Sequence, residues 1–316
     1  MTIEADLEAL RGPLNAYCYR MLAGSSECED AVQETMIRAL RERDTFDSRR
    51  ARLTTWVHRI AHNVCIDMLR AAQRRASPMD VTGLGEPGVF GSAAPPGSYV
   101  DPVPGSFVVY SSDPARRAVE RETVRLAFVA ALQHLTPTQR AVTILRDVLA
   151  FSAAETADIL GVSVGAINSS LQRARGALPA QSGGDGSVSD EQARALAERY
   201  VAAFEAHDVG GLIAVLHDDV TTTMPPVRWW LAGREAIASL AAVSDACAAD
   251  RLVITDVNGQ VGFGQYRPDA VGTLRPFALV AVEFRGGLIG HTTTFLGTAD
   301  RFAEFSLPPA LPPDSA

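Results

Sequence analysis

Residues 154–175, AETADILGVSVGAINSSLQRAR, carry the spacing of a unit that reads DNA. Ala157 is small enough for two helices to approach closely. Gly161 stands where the first helix must end in a left-handed conformation, and Ile167 is the apolar anchor that seats the second helix on the first. Ser152 and Ser163 fall at N-cap positions, and Glu155 follows Ser152 at capping-box spacing. No acidic residue occurs from Ser163 to Leu178. Gly165, Asn168, Ser169, Gln172, Arg173 and Arg175 therefore offer a hydrogen-bonding, positive face of the kind laid in a major groove. An ordinary helical hairpin has similar spacing, so the surrounding sequence has to decide between them.

A second chemistry lies upstream. In LTTWVHRIAHNVCIDMLRAAQRR, starting at Leu53, the spacing buries Leu53, Val57, Ile60, Val64, Met68 and Leu69. The other side presents Trp56, Arg59, His62, Asn63, Arg70, Arg74 and Arg75. Arginine meets phosphates and stacks on bases, and an aromatic holds an unstacked base, so this face suits melted or single-stranded nucleic acid. Trp56 serves that role or is a plain core aromatic. His58 and His62 have the i, i+4 spacing of metal ligands, but no third ligand stands nearby, so no metal or other cofactor is expected. Before this helix, residues 27–34 carry Glu27, Glu29, Asp30 and Glu34 and no base. Residues 38–75 then carry ten Arg against four acids. An acidic patch followed by a basic stretch fits a protein that touches two partners, one basic and one a phosphate backbone; the bland alternative is a pair of solvated helix faces.

The elements that must position these groups divide the chain. Helical periodicity runs over about 4–23, 26–43 and 52–75, making residues 1–75 one all-α domain. Residues 76–115 are rich in Pro, Gly and Ser and read as a flexible linker. Residues 116–179 are helical again, with Thr136 as N-cap before Pro137 at the first helical position. A short linker follows at 180–189. From 190 to 316 a helix of about 190–207 and another to near 217 precede strand-like runs at 219–224, 251–257, 260–267, 275–285 and 288–296. Asn258-Gly259 and Gly286-Gly287 supply hairpin turns, and the pattern is that of an α+β domain.

Composition sets the bounds. A chain of 316 residues calls for two or three domains. No apolar run would span a bilayer and the acidic N-terminus is wrong for a signal peptide, so the expectation is a soluble cytoplasmic protein. Four scattered cysteines give neither a zinc pattern nor a disulfide framework. All 29 basic residues are arginine. Residues 1–178 balance 20 Arg against 20 acids, whereas the remainder holds 9 Arg against 17 acids.

Three stretches in order resemble one family: EDAVQETMIRAL at 29–40, LTTWVHRIAHNVCIDMLR at 53–70 and LTPTQRAVTILRDVLAFSAAETADILGVSVGAINSSLQRARGAL at 135–178. Residues 1–179 look like an extracytoplasmic-function sigma factor of the sigma-70 class. The resemblance implies two all-α sigma domains, region 2 at 1–75 and region 4 at 116–179, and a partner in the RNA polymerase core through its clamp helices and flap. It implies that Asp30, Gln33 and Glu34 dock on the largest subunit and that residues 44–63 melt and hold the −10 element, with Asn63 near the flipped base. Helix 163–178 would read the −35 element of promoter DNA. One departure stands at Asn168, where the recognition helix usually carries Lys or Arg, which weakens a phosphate contact there.

Residues 190–305 resemble a SnoaL-like, NTF2-like cone, through 189–226, WWLAGREAI at 229–237 and LIGHTTTFLG at 288–297. Sigma factors with this extra domain form a subset typical of actinobacteria, in which it is thought to act in cis in place of a separate anti-sigma protein. Related folds host isomerases and cyclases, so His217, Asp218, Asp219, Glu283 and His291 are candidates for a general acid or base. Met224, Trp229, Trp230, Tyr266, Phe277, His291 and Phe295 are candidates to line a pocket for a small-molecule ligand. The expectation is a regulatory module rather than an enzyme, since fold alone confers no activity. The rival for the whole chain is a one-component regulator that senses a ligand and binds DNA without polymerase. The acidic patch before the Arg-rich helix favours the sigma factor, because a simple repressor has no use for a polymerase dock.

Overall fold

Helix α2 (Arg11–Leu22) organises the N-terminal half of the chain. Every residue from Leu14 to Leu22 is buried, so the helix must be sheathed on all sides rather than along one stripe. The structure, a computed structural model, describes residues 3–71, 79, 82–95, 97–178, 188–243 and 247–312. These fall into two units: residues up to 75 with 105–181, and residues 76–104 with 182–316.

In the helical unit, α1 (Ile3–Glu8), α3 (Ser25–Arg41) and α4 (Leu53–Ala71) precede α5 (Gly105–Val108), α6 (Pro114–Val124) and α7 (Leu126–Gln133). Helix α8 (Pro137–Thr143) then runs into one π turn at Ile144–Val148, and α9 (Ala153–Leu160) and α10 (Val164–Ala177) close the unit. Helices α3, α4, α5, α7 and α8 all pack on α2. The single helix expected over 4–23 is broken after Glu8, where an ion pair from Arg11 to Glu8 (2.6 Å) spans the joint.

Two arginines are sealed inside this unit. Arg20 is fully buried on α2 and donates to the carbonyls of Ala16 (2.8 Å), Glu120 (3.0 Å) and Thr123 (3.0 Å) and to the Thr123 hydroxyl (2.9 Å). Burial lowers its pKa to about 10, which leaves it charged at neutral pH. Arg140 on α8 donates to the carbonyls of Met21, Leu132 and Gln133 and to the Gln133 side chain. Each guanidinium thus fastens α2 to helices more than a hundred residues further along the chain, with carbonyl oxygens taking the place of a carboxylate.

The second unit is an α+β cone. Its six-stranded sheet has the order β2-β1-β6-β5-β4-β3, with β1 (Leu216–Thr223), β2 (Trp230–Ala232), β3 (Arg251–Val257), β4 (Gln260–Pro268), β5 (Leu274–Arg285) and β6 (Leu288–Leu296). Neighbours are antiparallel except β1 and β6, which run parallel. Helices α11 (Asp190–Glu205), α12 (Val209–Val215) and α13 (Arg234–Val243) cover one face, where Tyr200 stacks on Phe263 at 5.4 Å. A 3₁₀ turn at Ala299–Phe305 covers part of the other face, with Phe302 edge-on to Tyr266. Among the described residues no helix is long and apolar enough to cross a membrane.

The linker expected over 76–115 is not one tether, which corrects the sequence reading. Residues 105–108 and 114–124 are helical and belong to the helical unit, while 82–104 are built into the cone. Gly85 N–H donates to the Trp230 carbonyl (2.8 Å), Arg228 N–H to Ser92 (3.0 Å) and Ala94 N–H to Pro226 (2.8 Å). The indoles of Trp229 and Trp230 donate to the carbonyls of Glu86 and Thr82. The physical reason is an edge: β2 pairs with β1 on one side only, and this segment satisfies the backbone groups that would otherwise stay open. Of the expected second linker, 180–187 lie outside the described residues, and Ser189 caps α11.

Replacing Arg20 by Met should strand three buried carbonyls and lower the stability of the helical unit by about 3 kcal/mol or more, read as a shift in its urea midpoint. Arg20→Lys should recover little of this, because an ammonium cannot reproduce the planar fork.

Candidate functional site

The helix-turn-helix is assembled by local rules. The Ser152 hydroxyl accepts from Glu155 N–H (3.1 Å) while the Glu155 carboxylate accepts from Ser152 N–H (2.9 Å), closing the capping box at the start of α9. Gly161 ends α9 with φ +66, a conformation that a side chain would strain. Ser163 then caps α10 through Ala166 N–H (3.2 Å). Ala157, Ile167, Leu171 and Val142 form the shared core, with Ile167 fully buried.

With the core face so placed, Gly165, Asn168, Ser169, Gln172, Arg173 and Arg175 are all exposed. Arg175 is committed within the unit: it pairs with Asp147 of the π turn at 2.6 Å, which also raises its pKa. Asn168, Ser169, Gln172 and Arg173 make no side-chain hydrogen bond or ion pair among the described residues. Beside them, Arg146, Asn168, Leu171, Gln172 and Arg175 line a shallow depression of about 390 Å³.

On α4 the face is again set by helical spacing. Arg59, Asn63 and Arg70 are exposed and Trp56 is half-buried beside Phe46, with ring centroids 5.3 Å apart. Arg70 holds Asp67 at 3.3 Å, and Arg74 lies outside the described residues. His62, expected on this polar face, instead turns inward, where its Nδ1 and the Tyr17 hydroxyl are 2.9 Å apart. His58 is buried against the Thr54 carbonyl (2.7 Å) and the Phe151 ring. Burial lowers both imidazoles to about 4, so they are neutral core groups. On α3, Asp30 and Gln33 are exposed, and Glu34 is partly exposed and paired with Arg38 (2.7 Å).

The cone encloses a cavity of about 430 Å³ between its helices and its sheet. Of the seven candidate lining residues, Met224, Trp229 and Phe277 line it. Trp230, Tyr266, His291 and Phe295 do not, because successive strand residues point to opposite faces. Thr292, Thr294 and Leu296 of β6 face the cavity, so His291 and Phe295 face away. His291 is held between the hydroxyls of Thr221 (2.7 Å) and Thr293 (2.9 Å), and burial lowers its pKa. The Tyr266 hydroxyl donates to the Pro308 carbonyl (2.8 Å). His217, Asp218, Asp219 and Glu283 also fall outside the lining, and Asp218 pairs with Arg234 (2.9 Å). The polar lining that sequence reasoning missed includes His207, Thr222, Thr292 and, most tightly built, Gln265 and Arg267, backed by the buried carboxylate of Asp250. The i, i+2 spacing of Gln265 and Arg267 on one strand was the available signal.

Residues 7–75 match the family model of sigma-70 region 2, and residues 125–178 match that of sigma-70 region 4. The chain is 39% identical over 324 residues to the ECF RNA polymerase sigma factor SigG of Mycobacterium tuberculosis, covering 97% of this chain and 84% of that one. It is 32% identical over 219 residues to the ECF RNA polymerase sigma factor SigJ of the same organism, covering 69% of this chain and 64% of that one. The crystal structure of the M. tuberculosis extracytoplasmic function sigma factor SigJ shares the fold, with a TM-score of 0.62 at 24% identity over 96% of this chain and 99% of that chain.

Ile167→Asp should bury an unpaired charge in the helix-turn-helix core and cost about 3 kcal/mol or more, removing the thermal transition of that region. Arg173→Ala, at an exposed position without a partner, should shift stability by no more than about 0.5 kcal/mol. Circular dichroism melts of the two variants check the pair.

Proposed function

Because this chain belongs to the extracytoplasmic-function RNA polymerase sigma factors, we propose that α3 docks it on the core enzyme, that α4 and α10 read promoter DNA, and that the cone regulates it in cis. The observation that carries the DNA reading is α10 itself. Its buried Ile167 and Leu171 fix the helix, and its opposite face offers Gly165, Asn168, Ser169, Gln172 and Arg173 without a competing acid. Helix α10 in a major groove supplies −35 recognition, with Gln172 and Arg173 reaching base edges or phosphates; Arg175, shared with Asp147, adds a backbone contact. The α4 face of Trp56, Arg59, Asn63 and Arg70 holds the melted −10 strand by stacking and phosphate pairing, and Arg74, outside the described residues, is assigned to the same contact from the sequence.

The dock consists of Asp30, Gln33 and Glu34 on the solvent side of α3, facing basic residues of the polymerase clamp. Replacing both Asp30 and Glu34 by Arg should lower core affinity at least about tenfold with little change in the thermal transition. Arg173→Ala should weaken cognate promoter binding by the holoenzyme and reduce its salt dependence, measured by gel shift with core present. Wild-type core binding by the first variant would remove the dock. Unaltered transcription from the second would assign the wrong face of α10.

Regulation in cis is supported by the path of the chain. Within the stretch that joins α4 to α5, Gly85 is hydrogen-bonded to Trp230 of β2, Ser92 and Ala94 to Arg228 and Pro226 just before it, and Val103 to Asn258. The cone therefore holds the connector between the two promoter-reading regions, and a small molecule in its cavity has a route to that connector through Phe90 and Trp229. Gly91 offers a way to test this, since a Cβ there would run into the Arg228 carbonyl. Gly91→Val should loosen the connector and change transcription several-fold while core affinity stays at the wild-type value. Unchanged transcription, with the substitution verified to release the segment by amide hydrogen exchange, would make the cone a passenger.

A further inference from the structure

The cavity of the cone has a built polar end that no role so far described uses. Its walls come from all three helices and the concave face of the sheet, and its volume of about 430 Å³ lies in the range that takes drug-sized ligands. Five aromatic rings line it: Phe90, Tyr200, Phe204, Trp229 and Phe277. At one end, Asp250, which is 1% exposed, accepts from Arg267 Nε (2.9 Å) and Nη2 (2.8 Å) and from Gln265 Nε2 (2.5 Å). The Arg267 guanidinium lies over the Phe277 ring at 3.7 Å, which fixes its plane.

Two consequences follow from this arrangement. A carboxylate only accepts, so Gln265 must present its amide nitrogen to Asp250, with Cys247 Sγ also in its reach (3.7 Å), and its Oε1 has no partner among the described residues in a side chain that is 5% exposed. Nη1 of Arg267 likewise has no partner among the described residues. Gln265 and Arg267 both line the cavity, so one acceptor and one donor belong to neighbouring residues of its wall. The charges of Arg267 and Asp250 cancel locally, so at this end of the cavity neither an anion nor a cation finds an uncompensated opposite charge. Further along the wall Thr292 donates to Thr222 (2.8 Å), which adds hydroxyls but no charge.

We propose that this cavity binds an uncharged, ring-containing, largely apolar small molecule whose hydroxyl or carbonyl oxygen meets Gln265 and Arg267. The aromatic walls supply burial and ring contacts, and the Gln265–Arg267 pair selects a neutral oxygen function over a carboxylate or an ammonium. This rests on reading the cone as a ligand-receptive module and names what it receives.

The test uses the full chain and the uncharged fluorescent probe N-phenyl-1-naphthylamine, whose emission rises in apolar surroundings. Saturable binding at one site per chain is expected. Thr294→Trp, which fills the cavity from the sheet, should abolish it in a chain that still melts cooperatively; if that variant does not fold, Leu240→Trp from the helix side is read the same way. In displacement, 1-naphthol should act at concentrations about tenfold or more below those of 1-naphthoate or 1-naphthylmethylammonium. Gln265→Met should weaken 1-naphthol about fivefold while leaving the naphthoate curve in place. Absence of saturable probe binding, or full binding by the filled variants, overturns the cavity as a ligand site. Probe binding with the anion or the cation preferred, or with 1-naphthol insensitive to Gln265→Met, leaves the cavity receptive but overturns the ligand class.

Discussion

Two guanidinium groups sealed among carbonyl oxygens are the constraint on which the helical unit depends. Arg20 and Arg140 each draw several backbone acceptors toward one point, and in both cases those acceptors come from α2 and from helices far along the chain. A hydrophobic residue of similar volume would fill the space but leave the carbonyls unpaired, and a lysine would reach only part of the set. The apolar sheath of α2 is permissive about partners, whereas these hydrogen bonds admit one alignment. They decide which helix ends meet, and hence where α4 and α10 present their outward faces.

The same logic of satisfied backbone explains the cone. Strand β2 is three residues long and lies at the edge of the sheet, and the segment 82–95 partners it at Trp230 and the residues just before it at Arg228 and Pro226. Gly85 and Gly91 let that segment lie against Trp229 and the Arg228 carbonyl at distances that a Cβ would forbid. A stretch rich in Pro, Gly and Ser thus behaves as part of a folded unit through its backbone hydrogen bonds, with the Phe90 ring against Trp229 as a side-chain contact.

Much of the helix-turn-helix could be read from the sequence because its determinants are local. Ser152 with Glu155, Thr136 before Pro137, and Gly161 each act within one turn of chain, and the structure has Ser152 and Thr136 as N-caps and Gly161 as a C-cap. Spacing also sorted α4 into a core side and a polar side, His62 excepted. What escaped was long-range. Arg20 and Arg140 look like any other arginine in sequence, and their acceptors are backbone atoms with no signature. The cavity face of the sheet was misassigned at Tyr266, His291 and Phe295 because both faces of these strands are covered, which removes the alternation of apolar and polar residues that would have told them apart. Residues 82–104 carry no periodicity, so nothing marked them as partners of β2.

The cone is discontinuous in sequence, and this gives the chain a history during its own synthesis. Residues 82–104 leave the ribosome before α5 to α10, whereas the strands that complete their unit end at Leu296. At about 5–20 residues per second, the interval between completion of α10 and completion of β6 is on the order of ten seconds. Throughout that interval the helical unit is whole and the connector has nothing to pair with. Each newly made molecule therefore passes through a stage in which the helical unit has all its helices and residues 82–95 still lack the strands that complete their own unit.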